Sequence, residues 1–198
     1  MAGKVAVRQA KLREALIDAA EAQIAKGGLS TLKARPLAQE AGCSLGAIYN
    51  IFDDLDALVM AVNGRTFRRL GGFVSAGVKE AAAQDPNAQL VAMSHAYLHF
   101  ASDQTHLWRA LFDLEMSAEG PVPQWYLEEL GAVFGLIAVP LARLFPDMAR
   151  AELDLMVRGL FSSVHGIVLL GLEQRISAVP LDQIERMLSQ ILCQIGNS

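Results

Sequence analysis

Apolar residues recur three and four positions apart along the chain, and β-branched runs are scarce, so the pattern predicts consecutive helices. A first amphipathic helix is expected over 6–25, with Leu12, Leu16, Ala20 and Ile24 on one stripe, ended by Gly27 and Gly28. A second starts near Lys33 or Ala34, because Pro36 is tolerated only within a first turn, where the N–H it lacks has no helical partner. Ser44 stands where it caps a third helix over 45–52. Asp53, Asp54 and Asp56 open a long fourth helix that carries Arg65, Arg68 and Arg69 and is expected to loosen at Gly71 and Gly72. After a polar break at 84–87, a fifth helix is expected over 88–102 and a sixth over 105–118. A loop at 119–123 leads into a seventh over 124–144, with a kink at Pro140. The eighth (149–175) and the ninth (181–195, after Pro180) complete an all-α chain of nine helices.

The stretch 34–53 is the most specific part of this series, with the layout of a DNA-reading helix-turn-helix. Ala38 is small enough to let the second helix pack on the first, and Gly42 supplies the positive φ of a sharp turn. Leu37, Ala41, Cys43, Ile48 and Ile51 fall where the two helices face each other, which leaves Ser44, Gly46, Tyr49 and Asn50 on the outer side. An ordinary helical hairpin would not need that graded set.

Charge looks wrong for a DNA binder until it is divided. The chain carries a net −4, yet residues 1–70 hold ten Lys/Arg and seven Asp/Glu, while 71–198 hold seven and fourteen. Positive charge therefore accompanies the helix-turn-helix, with an excess so modest that binding should depend on placed contacts and on dimer avidity. The apolar run 160–172 contains His165 and, at 13 residues, is expected to be a buried helix and not a membrane span. No secretion signal is recognised, and Cys43 and Cys193 do not make a disulfide framework, so a cytoplasmic location is expected.

The run from Arg13 to Leu58 resembles the tetracycline-repressor (TetR) family of bacterial transcription regulators, on Ala19-Ala20, Gly27, Leu37-Ala38, Ala41-Gly42, Ser44, Gly46, Ile48-Tyr49, Phe52 and Leu58. Trp108 and His165-Gly166 resemble the subgroup whose C-terminal domain is named for Trp, His and Gly. The resemblance implies a homodimer, a helix-turn-helix for each half of a palindromic operator, and a C-terminal domain that binds a small effector and releases DNA. In this TetR-like architecture a three-helix DNA-binding domain (1–56) precedes a larger effector-binding and dimerisation domain (57–198). One position departs: where many members carry a phosphate-binding Lys, this chain has Leu55 between Asp54 and Asp56, so that contact is not carried over.

A recognition helix enters the major groove N-terminal end first, so Ser44, Leu45 and Gly46 approach the bases earliest. Gly46 permits close approach, Leu45 can touch a thymine methyl, and Asn50 can bond an adenine edge bidentately. Ser44 is either such a contact or only the cap. The resemblance places the Tyr49 hydroxyl on a phosphate. Lys33 and Arg35, with Lys4, Arg8 and Lys11 before them, are either phosphate or minor-groove contacts or a solvated surface.

Two apolar seams are candidates for dimerisation. Leu181, Ile184, Leu188, Ile191 and Ile195 are spaced 3, 4, 3 and 4, and the eighth helix offers Leu160, Val164, Ile167 and Gly171. Such seams pair either within one subunit or with a copy; the resemblance favours a four-helix contact about a two-fold axis. Aromatic residues concentrate in helices five to eight, where Tyr97, Trp108, Phe112, Met116, Trp125, Tyr126, Phe161 and His165 form either plain core or a mainly apolar ligand pocket. His95, His99 and Asp103 share a helix face and invite a metal reading, but one helix rarely wraps an ion, and no metal or other cofactor is expected. No nucleophile elbow, phosphate loop or dinucleotide fingerprint is present, so a non-enzymatic regulator is expected over an all-α enzyme or a ligand-independent DNA-binding protein.

Overall fold

The computed structural model describes residues 2–80, 85–114, 122–173 and 179–196. Among the described residues there are nine α-helices and no strand: α1 (Ala2–Gly27), α2 (Ala34–Glu40), α3 (Leu45–Tyr49), α4 (Leu55–Glu80), α5 (Pro86–Asp103), α6 (Thr105–Asp113), α7 (Gln124–Leu144), α8 (Arg150–Leu172) and α9 (Leu181–Leu192). A short 3-10 turn, Leu29–Thr31, links α1 to α2. The expected order holds throughout, with differences in the bounds: α3 ends at Tyr49 and α6 at Asp113, both short of the expected 52 and 118. α1 begins earlier than the apolar stripe indicated. α4 continues unbroken through Gly71 and Gly72, since Leu70 and Val74 on either side are buried and hold it. α9 ends at Leu192, which leaves Ile195 beyond the helix.

The helices form two compact units, and these interleave along the sequence. The first is drawn from Met1–Phe67 and Gln104–Leu127, the second from Arg68–Asp103 and Glu128–Ser198. The core of the first unit joins Leu16, Ala20 and Ile24 of α1 to Leu37 and Ala38 of α2, Ile48 of α3, Leu58 and Val62 of α4, and Leu107 and Ala110 of α6. α6 belongs here because it packs along α1.

Local chemistry then fixes how α2 and α3 are held. Gly28 has φ 77° and lets the chain leave α1. The buried Gln23 accepts from the Lys33 N–H at 3.3 Å and donates to Glu40 at 3.2 Å, so one side chain fastens both ends of α2 to α1. Gly42 has φ 65°, and the Cys43 N–H reaches back to the Ala38 carbonyl at 2.9 Å, closing α2 with a Schellman-type turn. At the start of α4, where the run of aspartates was expected to complement the helix dipole, Asp54 Oδ1 also accepts from the Ala57 N–H at 2.6 Å as an N-cap. Leu55 packs half-buried on the same core. Arg65 of α4 reaches Glu14, Asp18 and Glu21 of α1. Partial burial opposes its charge, but those three carboxylate hydrogen bonds outweigh it and hold the guanidinium protonated far above neutral pH.

In the second unit α9 is clasped by α5 and α8. Ile184, Leu188 and Leu192 of α9 are enclosed. α8 approaches α9 closely at Gly171, where a Cβ would stand 2.6 Å from Ile184 Cδ1. Asn87, at the start of α5, donates to the carbonyls of Leu192 and Ile195 at 2.8 Å each, capping the end of α9. A further apolar cluster joins Leu90, Leu141, Leu153 and Val157, with Ile195 packed against it.

Candidate nucleic-acid interface and ligand cavity

The outer surface of α3 is built by what packs beneath it. Ile48 points inward and is fully enclosed, Ala47 and Ile51 are half-buried, and Ser44, Leu45, Gly46, Tyr49 and Asn50 are left exposed. Leu45 and Tyr49 keep 41% and 50% of their surface in water, large values for side chains with no packing role in their own chain. Ser44 occupies the N-cap position, yet its hydroxyl makes no capping bond, so the fold does not account for it. Gly46 is likewise unexplained by the fold, since an added Cβ would meet nothing within 4 Å. Lys33 and Arg35 are exposed at the start of α2.

The second unit contains an apolar cavity of about 50 Å³ lined from α4, α5, α7, α8 and α9, including Val74, Met93, Tyr97, Ile137, Phe161 and Val164. Its polar wall atoms are already committed. Ser94 donates to the Val91 carbonyl at 2.7 Å, and the Tyr97 hydroxyl bonds His165 Nδ1 at 2.7 Å. His165 stacks on Phe161 with ring centroids 5.7 Å apart, and burial lowers its pKa below the usual 6.5, favouring the neutral ring.

The sequence reading gathered too wide a set for this pocket. Tyr97 and Phe161 line it, and His165 stands behind Tyr97. Trp108, Phe112, Trp125 and Tyr126 belong to the first unit instead. Trp108 is enclosed there and meets Phe112 edge-on, while Trp125 rests against Gly64. Tyr126 accepts from Asn63 Nδ2 at 3.3 Å, and burial raises its hydroxyl pKa. Met116 lies outside the described residues. The cavity residues that were missed, such as Val74, Leu90, Met93, Val133 and Ile137, are ordinary core types, and nothing in their spacing separates a cavity lining from a filled core.

The proposed dimer seams need a similar correction. Ile184 and Leu188 are fully enclosed by their own chain, Gly171 is filled against Ile184, and Ile195 joins an internal cluster. Leu160 and Val164 line the cavity. Ile167 is half-buried, and Leu181 and Ile191 are the members left exposed, at 37% and 46%. Apolar spacing finds a stripe but does not say which partner covers it. A different stripe of α8 faces outward: Leu155 is 71% exposed and Leu170 55%, with Gly159 and Gly166 between them open to a Cβ. The expectation that this helix is buried also changes. α8 is 23 residues long with a mean hydropathy of 1.7 over its most apolar window, enough by length and composition to cross a membrane, and only 11% of that window is buried.

His95 and His99 both turn toward α9. His95 Nε2 lies 3.0 Å from Ser189 Oγ and 3.2 Å from the Glu185 carbonyl, and His99 Nε2 lies 2.7 Å from Glu185 Oε1. Among the described residues no group of three His, Cys, Asp or Glu side chains could hold a metal ion.

Residues 16–62 match the family model for bacterial regulatory proteins of the tetR family, and residues 90–194 match that for the tetracyclin repressor-like C-terminal domain. The chain belongs to the tetracycline-repressor (TetR) family. It is accordingly a DNA-binding transcription regulator. Among solved TetR-like folds, a protein of unknown function from Rhodococcus sp. RHA1 shares 26% identity, with 91% of this chain and 93% of that chain covered and a TM-score of 0.72. RolR in complex with resorcinol shares 17% identity over 96% and 89% at TM-score 0.71. FadR from Bacillus subtilis in complex with stearoyl-CoA shares 16% over 90% and 96% at TM-score 0.68. The last two likenesses show the fold. No curated protein matches the chain.

Proposed function

We propose that this TetR-family regulator is a cytoplasmic repressor that binds a palindromic operator as a homodimer and is released by a small apolar molecule. The observation that carries the ligand half is the cavity of the second unit, with apolar walls and with Ser94 and Tyr97 already bonded to Val91 and His165. A site of that chemistry selects against charged solutes, because Ser94 and Tyr97 offer a ligand little hydrogen bonding without breaking bonds they already have. The volume of about 50 Å³ is a third of the roughly 150 Å³ apolar cavity that holds benzene, so even a single ring enters only as the lining side chains give way. A longer apolar chain enters only by displacing α5, α7 or α8. The fold likeness to proteins crystallised with resorcinol and with stearoyl-CoA agrees with an aromatic or acyl ligand.

In this reading Leu45 meets a thymine methyl, Asn50 reads a base edge, and Lys33, Arg35 and Tyr49 hold phosphates, with Ser44 and Gly46 at the closest approach. The functional division lies near residue 56. The copies meet through the outward stripe of α8, from Leu155 to Leu170, with Met187 and Ile191 of α9 beside it. The narrower likeness to the Trp-His-Gly subgroup, on Trp108 and His165-Gly166, belongs to the same proposal.

Linkage provides the test. Operator duplex is selected from a random pool by the protein, and apolar compounds are screened by calorimetry with and without that duplex. An inducer must bind the free dimer more tightly than the DNA-bound dimer, by the same factor by which it weakens DNA binding. A cavity ligand with identical affinity for both forms would leave DNA binding unchanged, and the release model would be wrong.

A further inference from the structure

The N-terminal part of α1 stands apart from everything that explains the rest of the fold. Residues 3–11 are helical and every one is exposed; the first residue of α1 to touch the core is Leu12. Burial therefore gives this stretch no reason to be a helix. Its charges are also at the wrong end. The first turn has no acid, and Lys4, Arg8 and Lys11 precede the first carboxylate, Glu14, so positive charge sits where the helix dipole disfavours it.

The same charges are well arranged for something outside the chain. Lys4, Arg8 and Lys11 stand at i, i+4 and i+7, one face of the helix. Two of the three, Lys4 and Arg8, border an open cleft of about 430 Å³ between α1 and α3, and Lys11 follows them along α1. Lys4, Val5, Arg8, Gln9 and Leu12 line one side of it, and Ala47, Asn50 and Ile51 the other. The basic ridge thus continues the α3 surface on the side of Asn50.

We propose that the N-terminal part of α1 is a DNA-backbone ridge, on which Lys4, Arg8 and Lys11 follow one phosphate strand where it leaves the groove occupied by α3. This rests on the DNA-binding reading of α3 and adds a second contact to it. The dimensions agree. Lys4 and Lys11 are seven residues apart, about 10.5 Å of helix rise, and one strand presents a phosphate about every 3.4 Å of duplex axis. The ridge therefore spans about three phosphates.

The test uses the full-length Lys4→Gln/Arg8→Gln/Lys11→Gln variant and the duplex that the wild-type protein selects from a random pool. The slope of log K against log salt should be shallower in the variant by about 2.7 per subunit, three contacts at about 0.9 each. The order of preference among operator variants should be unchanged, because backbone contacts carry no base information. Hydroxyl-radical protection should shrink at the outer flanks, and the unfolding temperature should not move. An unchanged slope and footprint overturn the proposal. So does an unchanged slope together with lost binding to phosphatidylglycerol vesicles, which would make the ridge a membrane-docking surface. If wild-type protein selects no duplex at all, the DNA-binding reading fails first and the ridge with it. If Asn50→Ala relaxes base preference while the triple variant behaves as wild type, α3 reads DNA and the ridge alone is refuted.

Discussion

Leu155 tests the proposed contact between two copies apart from the packing that holds one chain together. On its own chain it keeps 71% of its surface in water. Fully burying a leucine contributes about 1.5–3 kcal/mol, so covering the exposed share at a dimer contact contributes about 1–2 kcal/mol per subunit. A two-fold contact uses the position twice, giving about 2–4 kcal/mol for Leu155→Ala. At about 1.4 kcal/mol per decade, the dimer dissociation constant should rise about 30- to 1000-fold. Sedimentation equilibrium over a concentration series measures it directly, and operator affinity should fall in parallel as dimer is lost. Leu188→Ala is the contrast. Leu188 is completely enclosed by its own chain, so the loss falls on folding, by about 2–5 kcal/mol, and shows in thermal unfolding. The outward-stripe model is refuted if Leu155→Ala leaves self-association unchanged, or if Leu188→Ala separates the subunits without lowering their unfolding temperature.

Asn50→Ala should lower affinity for the selected operator by about 1–3 kcal/mol and flatten the ranking of base variants; Lys33→Ala should weaken all duplexes alike and reduce the salt slope by about 0.9 per subunit, both measured by fluorescence anisotropy. Gly171→Ala should destabilise the chain by about 1–3 kcal/mol in urea unfolding, because the new Cβ would lie 2.6 Å from Ile184 Cδ1 and 2.9 Å from its Cγ1; Ile184→Val, which removes Cδ1, should recover part of that loss. His165 has a folded pKa held below 6.5 by burial, so as pH falls through about 6.5 the unfolded chain takes up a proton that the folded chain resists. Stability should therefore drop between about pH 6.5 and the lowered value, and the drop should be smaller in His165→Gln when unfolding temperatures are compared across that range.

The helix-turn-helix was legible because it depends on residues with narrow physical roles. Pro36 allows one position in a first turn, Gly42 must take a positive φ, and Ile48 must point inward, so three residues set the register of everything between them. The start of α1 was less legible, since a helix with no buried face has no stripe to announce it. At Gly71 and Gly72 local propensity pointed to a break, and the burial of Leu70 and Val74 overrode it. α8 and the cavity were the hardest to read. Leu160, Val164 and Gly171 are apolar or small at the right spacing, yet they face their own subunit, and the stripe left outside runs from Leu155 past Gly159 and Gly166 to Leu170. A helix apolar on two faces carries no mark showing which face will be covered first. Aromatic content misled in the same way, because Trp108 and Tyr126 are packed in the first unit while much of the cavity wall is Val, Leu, Ile and Met.

That two-faced character of α8 gives the proposed release a physical route that stays inside the second unit. The inner face supplies Leu160, Phe161 and Val164 to the cavity, and the outer face carries the stripe proposed to meet the copy. With about 50 Å³ open, a ligand of even one ring must push these inner side chains aside, and a longer one must push them further. A packed helix responds by shifting between discrete arrangements more readily than by deforming continuously. Any shift or rotation of α8 would move Leu155 and Leu170 with it, and so would change the geometry in which two subunits join. Two recognition helices must stand about 34–36 Å apart to enter successive turns of the major groove, so a small rotation at the two-fold contact is enough to spoil the spacing. The ligand's influence is bounded by its preference for one arrangement over the other, and shifting an equilibrium from 1:99 to 99:1 takes about 5.5 kcal/mol of differential affinity. An apolar ligand reaches that figure by burying on the order of 200 Å² more surface in one arrangement than in the other, at about 25 cal/mol per Å². A molecule small enough for the existing cavity would not supply that difference, whereas an acyl chain that opens the gap between α5, α7 and α8 would. The size of the displacement is therefore what distinguishes an inducer from a molecule that merely fits.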